Sequence, residues 1–466
     1  METNGRVRTG TWVGADAHAI ARAVHRREVS ARAVVEEHLA HIGDRNPQLN
    51  AIVTVATEQS RRDADVLDDR LACGEPPGPL AGVPFTVKDL VTTAGVRTTA
   101  GSRALADNVP GVDAPAVAAM KAAGAILIGK TNTPEFGTSG LTDNELFGPT
   151  VNPLGTPDLP RSPGGSSGGE AAAIASGMSV LGLGTDFGGS VRWPAHCTGL
   201  ASIRPTIGRV CADGQYPGLV AGDHLLANPV TVHGALQTIG PMARSLDEAV
   251  LVLRVVSEPH IAWMDPAGVD VDRLDITWAP GEGTVPVAAD IVAAVTEVAG
   301  RLGARRYGGS ALAQGNDLFG RLRATQTHAD ITASAAPDTF GASIRQMLSA
   351  ARAESSAEVE ELWATRARFV QRLLAEMGDL LVLPVASIGA PLLGRDRFDV
   401  DGRSLTWQEV LASCRTISVA GFPSVVVPVG ETGDGMPIGV QLVARPFHEH
   451  VALSVAARLC RVARVR

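Results

Sequence analysis

Apolar residues along the chain fall into two kinds of run, one with helical spacing and one short and continuous. Near the start, Val24, Val34, Val35, Leu39 and Ile42 recur near helical intervals, which predicts a helix over 16–42 with Asp16 at its cap. The apolar AIVTVA run follows, and then a polar helix over 58–71. Phe85, Thr86 and Val87 read as a strand leading into Lys88. A helix and then a buried strand are expected at 114–123 and 125–129, and again at 170–178 and 180–183. That alternation argues for an α/β fold with a mixed sheet. Farther on, Ser245 opens a helix, 353–377 is helical with Glu and Arg on one side, and 379–384 reads as a core strand. Residues 414–429 and 439–443 are strand-like, whereas 134–153, rich in Gly, Thr and Asn, reads as loop. With no internal repeat and no low-complexity linker, the expectation is a single large domain, a central mixed β-sheet flanked by helices.

Composition narrows the function classes. Hydrophobic residues make up 45% of the 466 positions and charged ones 19%, enough for a large core. The formal net charge of −8 argues against a nucleic-acid-binding surface. No apolar run is long enough to predict a membrane span, and METNGRVRTGTW lacks the apolar centre of a secretory leader. Five scattered cysteines without a CxxC pair read as reduced thiols in a cytoplasmic protein. His448 and His450 form no HExxH, and neither GxGxxG nor GxxxxGK[ST] occurs. No metal and no nucleotide cofactor are therefore expected.

The chemistry concentrates between Ser162 and Pro194, where two serines, Ser166 in GGSSGG and Ser190 in DFGGSVR, are flanked by glycines. Glycine on both sides of a serine removes Cβ bulk and lets a carbonyl and several backbone N–H groups converge on the hydroxyl. Such runs are usually flexible linkers, but here helix- and strand-like sequence lies between them. Residues 164–168 also satisfy GxSxG, the nucleophile elbow, which needs a strand directly before it. Pro157, Pro160 and Pro163 exclude that strand. His196 could serve as a base for Ser190, although a structural role is expected. Phe187 could shape an aromatic acyl pocket, and Trp193 is expected in the core.

These motifs resemble the amidase signature family. Its G-T-D-x-G-G-S-[IV]-R-x-P segment appears as Gly184 to Pro194, with the two serines 24 residues apart. Val87-Lys88-Asp89 within GPLAGVPFTVKD matches the family's lysine segment. CTGLASIRPTIGRV matches another, with Ile203-Arg204 replacing Leu-Lys, and 237–244 a further one. The resemblance implies a triad of Lys88, Ser166 and Ser190, a cis peptide before Ser166, and an oxyanion hole from the backbone of Phe187, Gly188, Gly189 and Ser190. It places Gly137, Thr138 and Ser139 in the substrate pocket. Asp186 and Arg192 are expected to pair and hold the loop, with Ser167 and Thr185 as hydrogen-bonding supports. A helical brace over 1–75, a signature core over 76–255, a variable substrate-side region over 256–378 and a C-terminal part of the core over 379–466 complete the expectation.

Function follows from the same resemblance. A lysine serves as base only when neutral, so burial or neighbouring cations must lower the Lys88 ammonium's pKa. Hydrolysis of a small, soluble amide is expected, without membrane or nucleic-acid partner and with a homodimer left open. Two other classes stay open: a glutamine-amidotransferase-type subunit supplying ammonia to charged transfer RNA, and a catalytically inactive amidase-like protein.

Overall fold

Eleven strands form one mixed sheet in the computed structural model, which describes residues 11–325, 329–332, 337–350 and 355–463. In chain order they are β1 (Ile52–Val55), β2 (Pro84–Lys88), β3 (Ile126–Thr131), β4 (Leu181–Asp186), β5 (Ala201–Arg204) and β6 (Thr238–Ala243). The rest are β7 (Ile276–Trp278), β8 (Arg305–Arg306), β9 (Leu380–Pro384), β10 (Ser424–Glu431) and β11 (Pro437–Ala444). Their order across the sheet is β1-β3-β2-β4-β6-β5-β10-β11-β9-β7-β8. Strand β2 runs parallel to both β3 and β4, whereas β4 with β6 and β10 with β11 are antiparallel. The sequence positions 1–10 and 353–354, where a leader was not expected and a helix was, lie outside the described residues.

Helices cover both faces. Leu380 and Val382 of β9 pack in one hydrophobic cluster with Leu246–Val256 and Glu449–Ala463. Leu381 and Leu383 pack in another with Leu312–Ala324, Ser356–Glu376 and Ala412–Ala420. Alternate residues of a strand point to opposite faces, so β9 is fully buried and reads as a continuous apolar run. Ser245 caps Leu246–Val256 with a reciprocal Glu248 bond, as its position predicts. Among the described residues no helix is long and apolar enough to cross a membrane.

Two expectations are corrected. The helix over 16–42 is two, Ala17–His25 and Ala31–Leu49, each with the side-chain cap that its Asp16 or Ser30 supplies. Arg27 between them has φ 57°, a left-handed conformation that ends the first helix. The first half of 414–429 is not a strand but the helix Ala412–Ala420, ended by Gly421 at φ 82°. Every residue of that helix is buried, so it has no solvent-facing polar stripe to reveal a 3.6-residue period.

Candidate active site

Lys88 closes β2 and Asp186 closes β4, and because the two strands are parallel neighbours both ends open on the same edge of the sheet. Lys88 is fully buried there. Its Nζ lies 2.6 Å from Ser166 Oγ and donates to Thr185 Oγ1 at 2.9 Å. Burial pushes its ammonium down to about 7, against the pull of the Asp186 and Glu170 carboxylates. Ser166 follows a cis peptide from Gly165 and is itself buried. Gly137 crosses directly over it at φ 68°. A Cβ there would come within 2.8 Å of Leu90 Cδ1 and 3.2 Å of Ser166 Oγ, so only glycine fits.

Backbone bonds stitch the two serine loops together. Ser167 N–H donates to the Ser190 carbonyl at 3.1 Å. Ser167 Oγ accepts from Thr185 N–H and donates to the Thr185 carbonyl, both at 3.3 Å. Ser167 and Thr185 thereby hold the Ser166 turn against β4, with Thr185 also bonding Lys88.

The second loop is shaped by Asp186. Its carboxylate accepts from Gly189 N–H at 2.9 Å and Val191 N–H at 3.2 Å. Arg192 grips it through Nε and Nη2, both at 3.0 Å, and Arg204 Nη1 reaches Oδ1 at 3.0 Å. Burial alone would raise the Asp186 carboxyl. Arg192 and Arg204 instead hold it well below the usual carboxylate range. Arg192 in turn bonds Gln441 Oε1 at 3.0 Å and Ser418 Oγ at 2.6 Å. Arg204, which departs from the family's lysine, is thus the second cation of a buried cluster. Gly189 was expected among the oxyanion donors, yet its N–H is spent on Asp186. The donation fixes the loop that carries Phe187, Gly188 and Ser190. Asp186→Ala would leave two buried guanidiniums without a counter-charge. The expected loss is about 3–5 kcal/mol, read as a lower denaturation midpoint; an unchanged midpoint would show that the cluster is not structural.

Ser190 opens on a cavity of about 150 Å³, whose wall also includes Gly137, Thr138, Ser139, Phe187 and Gly188. Lys88 and Ser166 are buried and do not line it. Phe187 faces the cavity, stacked on His233 with ring centroids 4.5 Å apart and tilted against Phe319 at 4.9 Å. Trp193 lies in the core, its Nε1–H donating to the Gly140 carbonyl at 3.0 Å. His196 is buried, accepts from Gly439 N–H at 3.0 Å and sits 3.1 Å from the Ile388 carbonyl. Burial lowers its imidazolium to about 4, so it is neutral and occupied by backbone.

Three further buried charges escaped sequence reading. Glu170 accepts from Thr131 Oγ1 at 2.7 Å and from Thr86 Oγ1, with burial raising its carboxyl to about 7. Lys130, at the end of β3, donates to Thr93 and Thr98, each at 3.0 Å, and burial lowers it to about 8. Asp89 accepts from Thr99 N–H at 3.0 Å, and burial raises its carboxyl to about 6. For Lys130 the available signal was a lysine in the last two residues of an apolar strand, much like the one that marks Lys88. Among the described residues no group of three His, Cys, Asp or Glu is placed to hold a metal ion, and all five cysteines are free thiols.

Known proteins align with this chain over nearly its whole length. The amidase family profile matches residues 33–279 and 291–453. A glutamyl-tRNA(Gln) amidotransferase subunit of Synechococcus sp. (strain CC9311) is 32% identical, over 92% of this chain and 93% of that protein. AtzE, the 1-carboxybiuret hydrolase subunit of Pseudomonas sp. (strain ADP), is 35% identical, over 91% and 93%. The structure of a bacterial aryl acylamidase of the amidase signature enzymes superposes with a TM-score of 0.80 at 27% identity, covering 96% of each chain.

Proposed function

The chain belongs to the amidase signature family, and on that premise we propose that it hydrolyses the C–N bond of a small carboxylic amide through a Ser190 acyl-enzyme. One observation carries the reading: a buried Lys88 whose Nζ lies 2.6 Å from Ser166 Oγ, directly behind a serine loop that opens on a cavity. A serine hydroxyl needs a base, and a lysine brought to about 7 is largely neutral in slightly alkaline solution. Neutral Lys88 takes the Ser166 proton as Ser166 takes that of Ser190, and Ser190 attacks the amide carbonyl. The N–H groups of Phe187, Gly188 and Ser190 face the developing oxyanion. Ser166 then protonates the leaving nitrogen, C–N cleavage leaves the acyl group on Ser190, and water activated along the same path releases the acid. Gly137, Thr138 and Ser139, which also line the cavity, bound the substrate.

The test is ammonia or amine release from a panel of aliphatic, aromatic and amino-acid amides by the isolated chain. Turnover should need neither metal nor nucleotide. Activity lost on dialysis against a chelator and restored by a divalent ion would sink the reading.

A second reading is favoured by the 32% identity to the amidotransferase component. There the chain would release ammonia from glutamine only alongside partner proteins. The cavity weighs against it, because no carboxylate among the described residues lines the wall to meet glutamine's α-ammonium. Turnover by the isolated chain would decide for the amidase.

A further inference from the structure

The cavity beside Ser190 holds two cations that the proposed chemistry does not use. Arg323 and Arg415 both line it, and among the described residues no carboxylate forms an ion pair with either. Arg415 is buried, its guanidinium 4.8 Å over the Phe319 ring, and its Nε has no hydrogen-bond partner among the described residues. Its Nη1 donates to the Gln408 carbonyl at 3.0 Å. Glu409, whose charge reaches Arg415, is held by Thr406 N–H at 2.8 Å and Arg403 Nη2 at 2.6 Å. Arg323 lies 5.9 Å over Trp407 and donates to the Thr138 carbonyl at 3.3 Å. Burial, with each arginine repelling the other, lowers Arg415 to about 10, so both remain charged near neutral pH.

Two like charges in one largely apolar pocket are costly unless an anion joins them. Position says where that anion sits. A Cβ on Gly188 would fall 3.6 Å from Arg415 Cγ, and one on Gly189 2.8 Å from Cys414 Cβ, so the helix bearing Arg415 packs directly on the candidate oxyanion loop. Arg323 touches the facing loop at Thr138. The two guanidiniums therefore bracket the cavity on which Ser190 opens.

We propose that the substrate is an amide carrying a carboxylate group, which Arg323 and Arg415 bind while Ser190 attacks the amide end of the same molecule. This rests on the amidase reading for its reaction and on the arginine pair for its substrate class. Planar guanidiniums suit a carboxylate, whose two oxygens can accept from both.

Two measurements test it separately from the amidase reading. In turnover, succinamate should exceed its uncharged isostere 4-methylpentanamide by about tenfold or more in kcat/KM, and the cationic 4-aminobutanamide should be the poorest. Equal rates, or a preference for the neutral amide, overturn the inference. In binding, glutarate titrated calorimetrically should occupy the wild-type cavity, and Arg323→Gln and Arg415→Gln should each weaken it at least tenfold. Arg415→Lys, which keeps the charge, should retain more of the binding than Arg415→Gln. Glutarate that fails to bind the wild type, or binds the Gln variants equally well, overturns the inference. If Arg415→Gln does not fold, the partly exposed Arg323→Gln decides. If no amide in the panel is cleaved, the amidase reading fails while glutarate binding still decides the anion site.

Discussion

Ser190→Ala is expected to lower kcat/KM by about ten-thousandfold or more while leaving the fold intact. Ser190 lines the cavity wall, but what holds its loop is backbone and Asp186. Ser167 N–H binds the Ser190 carbonyl at 3.1 Å, and the Asp186 carboxylate binds Gly189 and Val191 on either side. None of those bonds needs the Ser190 hydroxyl, so the melting temperature should stay near wild type. A fluorophosphonate probe should add one mass increment to the wild-type chain, located by digestion at Ser190, and none to the variant. A variant that keeps more than about a thousandth of wild-type turnover, or takes up the probe, would remove Ser190 from the nucleophile role.

The Lys88 result separates a base from a mere positive charge. Lys88→Arg keeps the charge but cannot give it up, because guanidinium does not deprotonate in a protein. Turnover should fall by about a hundredfold to ten-thousandfold, the usual worth of a positioned base. In the wild type the sign of the pH dependence follows from the lowered value: below about 7 Lys88 is protonated and inert, and above it the free amine accumulates. Activity should therefore climb through about pH 7 and then level off. Asp186 stays ionised throughout, since Arg192 and Arg204 hold it low, and contributes no limb. Glu170 titrates in the same window, raised to about 7 by burial. Glu170→Gln separates the two. If Lys88 is the titrating base, the rising limb survives in that variant, and if the limb vanishes Glu170 carries it. Near-normal turnover by Lys88→Arg would show that the relay through Ser166 is wrong. His196→Ala should retain most activity, because both its ring nitrogens are engaged with backbone.

Individual strands and the two serine loops were legible because each is short and announces itself locally. Continuous apolar runs marked β2, β3, β4 and β9, and glycines around Ser166 and Ser190 marked turns with closely approaching backbone. What stayed illegible depends on long-range contact or on complete burial. The helix Ala412–Ala420 looked like strand because all its positions are covered. Arg204, Ser418 and Gln441 bear no local sign that they close a cage around Asp186 and Arg192, since only the sheet order brings them there. Arg323 and Arg415 are likewise separated along the chain by several helices and strands, so their shared cavity is visible only in three dimensions.

That cage has a bearing on synthesis. Arg192 reaches a partner 226 residues away at Ser418 and another 249 away at Gln441. A ribosome making this chain exposes Lys88, Ser166 and Ser190 long before either partner has been translated. Until β11 inserts beside β10, the Asp186 cluster lacks the Gln441 bond to Arg192, although Asp186 already holds Gly189 and Val191. The cluster behind the two serine loops is consequently completed late, and a chain cut short before residue 441 carries both serines and Asp186 but leaves Arg192 without its Gln441 partner.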